Sequence, residues 1–403
     1  MSRRAMRHPT PTRGVRGGSA ATWVRWREMG WHTLFVGVVL LGIGLLFLAE
    51  MATVDELQDR AGAIRLESHI KKLAVAGPFL LVGLLARPSW LRRNAWGLYL
   101  VSLGLLAALP FIGSERNNAR RWIETPVGFD LQPSEFAKLA VVLVLARVLA
   151  RNRLQRPGEW LGPALLALVP MGLVVLQPDL GTAVTIVPVT LGMMYLAGAN
   201  GGVLLLLIGL GCGGGVLAYQ NEVGVRDYQL ERVDTWLESV DAESLIDARQ
   251  GPAFHAYHAR MSVGQGGWRG LGLGRGIGNE AGILPERESD SVFAVVAGET
   301  GLVGATALLL LYALLVVLLM AGAGEIRDRF TRLVVGGVAI YFAAHVGVHA
   351  AVNLGLLPMT GLTLPLVSTG GSSLLVSLIA LGLAVGLSAN QEPSLDGDAF
   401  GRS

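Results

Sequence analysis

An all-α, polytopic membrane fold is predicted for this chain by three observations: sparse charge, recurring apolar runs of about 20 residues, and basic residues gathered in alternate loops. Only 16% of the 403 residues are charged and 52% are hydrophobic, with a mean hydropathy of +0.51. An ordinary soluble domain carries about 25% charged residues. The net charge of +3 says little about nucleic acid, because the arginines stand where topology needs them.

Apolar runs bounded by charge give about ten spans. They are 31–50, 72–87, 95–113, 134–150, 160–177, 181–198, 202–219, 301–322, 334–354 and 366–388. Arg3, Arg4, Arg7, Arg13, Arg16, Arg25 and Arg27 precede the first. Arg87, Arg92 and Arg93 separate the second from the third, Arg151, Arg153 and Arg156 the fourth from the fifth, and Arg327, Arg329 and Arg332 the eighth from the ninth. The positive-inside rule places all of these loops in the cytoplasm, and an even number of spans returns the carboxy terminus there. The chain then divides into a basic tail over 1–30, a transmembrane domain over 31–388 and a second cytoplasmic tail over 389–403. The leader does not read as a cleavable signal, since its basic part is long and interrupted and no small-residue cleavage site stands out. The single cysteine, Cys212, lies among glycines in the seventh span and reads as a small buried residue with no disulfide partner.

One large hydrophilic loop, about 220–290, falls on the external side. In "YQLERVDTWLESVDAESLIDARQ", Val233, Trp236, Leu237 and Val240 recur at helical spacing. That predicts an amphipathic helix along the membrane surface or over the bundle mouth. The following "GQGGWRGLGLGRGIGNEAG" is too rich in glycine for a helix and lacks the strand and helix that a dinucleotide fingerprint requires. Its backbone amides, flanked by Arg269 and Arg275, form either an anion-binding nest or a turn with a purely conformational role.

A charged side chain at mid-membrane costs about 2.5–3.5 kcal/mol, so each one needs a reason. Lys138, in "LQPSEFAKLAVVLVLA", is one of three lysines and the one set inside an apolar run, with Glu135 on the same helical face. The pair either stabilises the helix start or presents an ammonium to phosphate oxygens in a polar cavity. Asp179, in "QPDLGT", reads as a helix cap or a catalytic carboxylate. His345 and His349, one turn apart, read as helix–helix hydrogen-bonding groups ahead of metal ligands, because no carboxylate or third nitrogen stands near them in sequence. Ser368 and Ser372, in "LTLPLVSTGGSSLL", fit a packing hinge or a substrate-lining turn. "LPERESDSVF" gathers Glu286, Arg287, Glu288 and Asp290 ahead of an apolar run that continues to about Ala323.

Four stretches, in this order, resemble one family: "RRWIETPVGFDLQPSEFAKLA", "QPDLGTA", "LPERESDSVFAVVAGETGLVG" and "NLGLLPMTGLTLPLVSTGGSSLL". They are similar to the shape, elongation, division and sporulation (SEDS) proteins of the RodA/FtsW type, over about residues 30–390. The resemblance implies a glycosyltransferase that polymerises lipid II into peptidoglycan at the outer face of the bacterial inner (plasma) membrane, beside a class B penicillin-binding protein. It places Asp290 on the family's essential external aspartate, Glu135 and Lys138 on its Q-P-S/A-E-x-x-K positions, and Arg121 with Trp122 on its R-W. Ser289, Ser291, Thr369 and Asp130 depart from the family pattern, where Thr, Phe, Tyr and Arg are usual, and His345 and His349 stand where Gln and Asn are often found.

The implied reaction inverts an anomeric centre, which one direct displacement accomplishes. It needs a base near the acceptor hydroxyl and positive charge near the departing undecaprenyl pyrophosphate. Asp290 is the expected base, with Glu286 beside it raising its pKa. Alternatively Asp290 and Glu286 hold a divalent cation, Mg²⁺ or Mn²⁺. Lys138, Glu135, Arg120, Arg121, Asp179, Ser368 and Ser372 are the expected substrate-binding residues. Two further readings are a flippase for lipid-linked precursors and a non-catalytic scaffold that activates the transpeptidase.

Overall fold

The computed structural model describes residues 29–58, 66–116, 119–125, 129–156, 158–221, 227–238, 253–280 and 284–389. Both tails fall almost wholly outside these residues. The elements are α1 (Trp31–Leu57), α2 (Leu66–Leu84), α3 (Pro88–Ile112), β1 (Ser114–Arg116), β2 (Ala119–Trp122), α4 (Pro133–Leu149), α5 (Gly158–Leu176), α6 (Leu180–Leu196), α7 (Gly201–Gln220), α8 (Asp227–Glu238), α9 (Phe254–Gly266), α10 (Ile277–Glu280), α11 (Val292–Glu325), α12 (Arg329–Asn353) and α13 (Gly371–Ala389). Local chemistry starts several of them. Pro88 and Pro133 open α3 and α4, where no backbone donor is missed. Asp179, Asn200 and Asp328 cap α6, α7 and α12 by accepting amide hydrogens of the first turn.

Seven of these helices, α1, α3, α5, α7, α11, α12 and α13, are long and apolar enough to cross a membrane. The other three expected spans also form helices. Of these, α6 is apolar but only 17 residues long, α4 carries Glu135, Lys138 and Arg147, and α2 opens with Glu67, Lys71 and Lys72. The count of ten crossings therefore remains a reading of the sequence.

The core lies around α4, α12 and α13, and the most apolar windows of α12 and α13 are 78% and 89% buried. By contrast, the corresponding window of α7 is 6% buried. Cys212 is accordingly exposed, against the expectation of a buried residue, because α7 turns nearly its whole surface away from the bundle. Packing of α13 against α2 depends on small residues. A Cβ on Gly83 would approach the Ile379 carbonyl to 2.5 Å, and one on Gly382 or Gly386 would collide with the Leu80 or Leu84 carbonyl. Glycine lets the two backbones touch, which is how helices associate where lipid removes the hydrophobic drive. Gly386→Leu should therefore separate α2 from α13 and cost at least about 1–3 kcal/mol as overpacking. The check is the thermal midpoint of the detergent-solubilised protein; an unchanged midpoint refutes this packing.

The two ends of the bundle differ in charge. At one, Arg92 pairs with Asp328 at 2.6 Å, and Arg329 donates to the Asn152 and Ala197 carbonyls, both at 2.9 Å. At the other end of α12, Asn353 donates to the Asp290 carbonyl at 3.0 Å. The predicted basic loops thus sit opposite "LPERESDSVF".

Helix α11 begins nine residues before the predicted span and bends at Gly301, whose φ of 68° lies in the left-handed region. The glycine-rich turn docks on that bend. Leu271 and Gly272 donate amide hydrogens to Gly298 and Glu299 carbonyls at 3.1 and 2.9 Å, and Leu302 donates to Gly267 at 2.8 Å. The Leu271 and Gly272 amides serve the kink, which supports the conformational reading of this turn. Over the bundle mouth, α8 sets the Trp236 indole on the Gly355 carbonyl at 2.9 Å and Arg232 on that of Met359 at 3.0 Å. Leu237, expected on the buried stripe, is 45% exposed, and Val240 lies outside the described residues.

Candidate active site

The segment 285–291 is a tight turn feeding α11. Glu286, at φ 44°, turns its carbonyl onto the amide hydrogens of Ser289, Asp290 and Ser291 at 3.0, 2.9 and 3.1 Å. Neighbouring elements brace the turn from below. Ser368 Oγ donates to the Ser289 carbonyl at 2.6 Å while accepting the Leu364 amide hydrogen at 2.8 Å, and the Thr369 amide donates to the Glu288 carbonyl at 2.9 Å. Arg287 points inward, 7% exposed, donates to the Asn279 carbonyl at 3.0 Å and forms a buried ion pair with Asp55 at the end of α1. The four clustered charges thus divide: Arg287 anchors the turn, and the carboxylates remain toward the mouth.

Asp290 itself is half-buried. Desolvation raises its pKa to about 7, assisted by the negative charges of Glu286, Glu288 and Asp179 and opposed by a hydrogen bond from Ser289. Glu288 is raised as well, again chiefly by burial. The Asp290 main chain is held through its amide hydrogen and carbonyl, and its carboxyl group accepts from Ser289.

From Asp290 a polar column descends along one face of α12. Asn353 bridges the Asp290 and His349 carbonyls at 3.0 and 2.9 Å. His349 Nδ1 donates to the Leu362 carbonyl at 2.7 Å. One turn on, His345 donates from Nδ1 to the Tyr341 carbonyl at 2.9 Å, which leaves Nε2 to accept from Lys138 Nζ at 2.6 Å. Lys138, 2% exposed, also pairs with Glu135 at 2.7 Å and lies 5.7 Å from the Tyr341 ring centroid. Two of its three N–H groups are thereby used. Glu135 Oε2, His349 Nε2, Asn353 Oδ1 and Thr360 Oγ1 are buried along this column without protein partners, and each such group costs about 1–3 kcal/mol unless something polar meets it. His345 and Asn353 are eight residues apart, so Lys138 lies about 12 Å below the Asp290 turn at 1.5 Å rise per residue.

The remaining predicted residues divide by what their side chains touch. Asp179 caps α6 through Oδ1 and accepts from Gln132 and Ser134 through Oδ2, at 3.1 and 3.2 Å. Arg121 donates to the Gln177 carbonyl at 3.0 Å and to that of Pro178, at the same turn. Arg120 leaves the site, as strand alternation requires, and donates to the Pro110 carbonyl and to Glu115 at 3.0 and 3.1 Å. Ser372 donates to the Asp130 carbonyl at 2.6 Å and accepts from the Gln132 amide at 2.8 Å. The hydroxyls of Ser368 and Ser372 therefore brace backbone at the site. His345 forms the helix–helix hydrogen bond expected of it, to Lys138, whereas His349 bonds the loop carbonyl of Leu362. Among the described residues no group of three or more His, Cys, Asp or Glu is arranged to hold a metal ion. Glu286 and Asp290 supply two carboxylates, a donor set that suits Mg²⁺ when substrate phosphate and water complete the shell. Asn353, Asp55 and His255 were not singled out in the sequence. Only the register of Asn353, eight residues after His345, could have drawn attention to one of them.

An all-α bundle with a raised-pKa carboxyl group at its mouth and a buried Lys–Glu–His cluster below defines a polytopic membrane protein with an acidic site. The FtsW/RodA/SpoVE family of cell cycle proteins matches residues 31–392, and the chain belongs to that family. It is similar to the probable peptidoglycan glycosyltransferase FtsW of Burkholderia thailandensis, 32% identical over 92% of this chain and 80% of that protein. It is also similar to the peptidoglycan glycosyltransferase MrdB of Escherichia coli, 30% identical over 90% and 96% of the two chains. Among solved structures, a chain from a peptidoglycan synthase complex that coordinates polymerization and crosslinking aligns at TM-score 0.73 with 30% identity, covering 90% of this chain and 98% of that one. The Thermus thermophilus rod shape determining protein RodA aligns at 0.67 with 28% identity, covering 92% and 99%.

Proposed function

We propose that this protein, whose FtsW and MrdB relatives are named peptidoglycan glycosyltransferases, is a glycosyltransferase of the bacterial inner membrane that extends glycan strands from lipid II at the outer face. The observation that carries the reading is Asp290, a carboxyl group with a pKa near neutrality at the open end of a membrane bundle, where a base for an acceptor hydroxyl is required. The lipid tail stays in the bilayer while the sugar meets Asp290. Lys138, about 12 Å deeper along the column, cannot touch the same atom, but an extended sugar pyrophosphate reaches both ends. Its ammonium would meet the diphosphate as a point charge, and Arg121 supplies a second cation at the Asp179 turn. The inverting displacement expels undecaprenyl pyrophosphate. In the alternative to Asp290 as base, Asp290 and Glu286 would hold a Mg²⁺ or Mn²⁺ ion at the mouth, where it would carry pyrophosphate charge in place of the deeper Lys138. Both termini are assigned to the cytoplasm from the basic loops, and a class B penicillin-binding protein is the proposed partner for crosslinking.

Purified protein with its transpeptidase should convert labelled lipid II to glycan chains. Loss of product with chelator and its return with Mg²⁺ would support the cation; full activity in chelator would dismiss it. Translocation of lipid II by the reconstituted protein, with no polymer, would favour the flippase reading. Lys138→Met should reduce turnover at least about tenfold, since it removes the positive charge proposed to stabilise the departing diphosphate. Unchanged lipid II affinity and turnover would remove Lys138 from the site.

A further inference from the structure

We propose that His255 is a positioning residue for Asp290, clasping both ends of the turn 285–291 through Pro285 and Ser291; the proposal rests on the role given to Asp290 above. His255 lies on α9, in the external loop, and its Nε2 is 2.6 Å from Ser291 Oγ. The ring also takes part in a hydrogen bond with the Pro285 backbone, which acts to raise its pKa against burial. One neutral tautomer satisfies both contacts when Nδ1–H donates to Pro285 and Nε2 accepts the Ser291 hydroxyl hydrogen. Burial pushes the imidazole pKa down to about 4, so that tautomer holds at neutral pH.

Ser291 supplies an independent observation. It is the N-cap of α11, yet its hydroxyl makes no capping bond, although serine at that position normally accepts an amide hydrogen of the first turn. The side chain is fully buried, 0% exposed, and its hydroxyl is directed to His255 instead. The two contacts fall immediately outside Glu286–Asp290, so a single ring sets the span of the turn that carries the carboxyl group. The ring has a rigid base. Cβ atoms on Gly266 and Gly298 would meet the Ala297 and Ser262 carbonyls, which places the backbones of α9 and α11 in contact, and Arg260 ties α9 to the Gly355 carbonyl at 3.1 Å. A displacement of α9 is thereby transmitted to Asp290, although α9 lies outside the spanning helices and His255 has no recorded contact with the Asp290 side chain.

The test uses the full chain with its transpeptidase and labelled lipid II. It compares wild type, His255→Phe, His255→Gln, Ser291→Ala and the double variant His255→Phe with Ser291→Ala. Phenylalanine keeps the ring and removes both bonds, so kcat should fall about tenfold or more, with KM for lipid II within about twofold. Glutamine offers a donor and an acceptor on one amide and should restore kcat to within about threefold of wild type. Ser291→Ala should lose about threefold, and the double variant should be no worse than His255→Phe, because the two residues act through one contact. Hydrogen–deuterium exchange of peptides covering 286–291 should quicken in His255→Phe and recover in His255→Gln. Wild-type kcat in His255→Phe, a change confined to KM, or multiplying losses in the double variant would overturn the clasp. Where His255→Phe does not fold, Ser291→Ala decides: wild-type turnover and exchange refute the proposal, while loss of turnover with faster exchange sustains it. Absence of glycan from the wild type would count against the glycosyltransferase reading instead, and exchange would still decide the clasp.

Discussion

Asp290→Asn should abolish glycan formation while leaving a folded, membrane-extractable protein. A positioned general base contributes about 10²–10⁴ in rate, and asparagine cannot take the proton. The fold should survive because Asp290 is fixed by its own amide hydrogen and carbonyl, which asparagine retains. Wild-type kcat/KM should rise with pH through a midpoint near 7, the pKa to which burial and neighbouring carboxylates bring Asp290. The same shift has a stability counterpart of opposite sense. A carboxyl group raised from 3.8 to about 7 binds its proton more tightly folded than unfolded, so wild-type stability declines as pH rises from about 4 to 7 and is then level. Asp290→Asn should therefore melt higher than wild type above pH 7, by at most a few kcal/mol, with the advantage fading toward pH 4. Polymerisation by Asp290→Asn at the wild-type rate would refute the assignment.

Arg287→Ala should be the most damaging single change to the fold of the site. It removes the guanidinium paired with the buried Asp55, 1% exposed, and breaking one side of such a pair costs about 3–5 kcal/mol. It also frees the turn from the Asn279 carbonyl and from α1. The thermal midpoint should drop by roughly 5 °C, and turnover should fall with it although Arg287 itself faces away from the mouth. Replacing both partners with apolar residues, Arg287→Met with Asp55→Leu, should recover much of the stability, because both buried charges are then removed together. A midpoint within about 2 °C of wild type for Arg287→Ala would refute the pair as an anchor.

The helices were legible because a bilayer imposes a length and an apolar composition on every span. All ten predicted runs overlap helices, from 31–50 in α1 to 366–388 in α13. Boundaries were less legible where backbone geometry decided them. The start of α11 moved to Val292 because the bend at Gly301 lets a short helical segment continue into the span. Cys212 was misplaced because an apolar helix in lipid has no outward polar face, so sequence does not tell the buried side from the exposed one. Individual site residues followed local rules where their partners were local: Asp179 caps the helix it precedes, and Glu135 pairs with Lys138 one turn away.

From the sequence alone came the membrane class, the basic and acidic ends, and the nomination of Lys138, because charge within an apolar chain is rare enough to stand out, while the family resemblance singled out Asp290 from its charged cluster. Tertiary structure alone decided what surrounds them. His345 reaches Lys138 across 207 positions of sequence, Asp55 reaches Arg287 across 232, and His255 meets Ser291 from a different helix. Each of those contacts sets a pKa, an orientation or an anchor through distance in space, which residue spacing does not encode once the partners lie on separate helices.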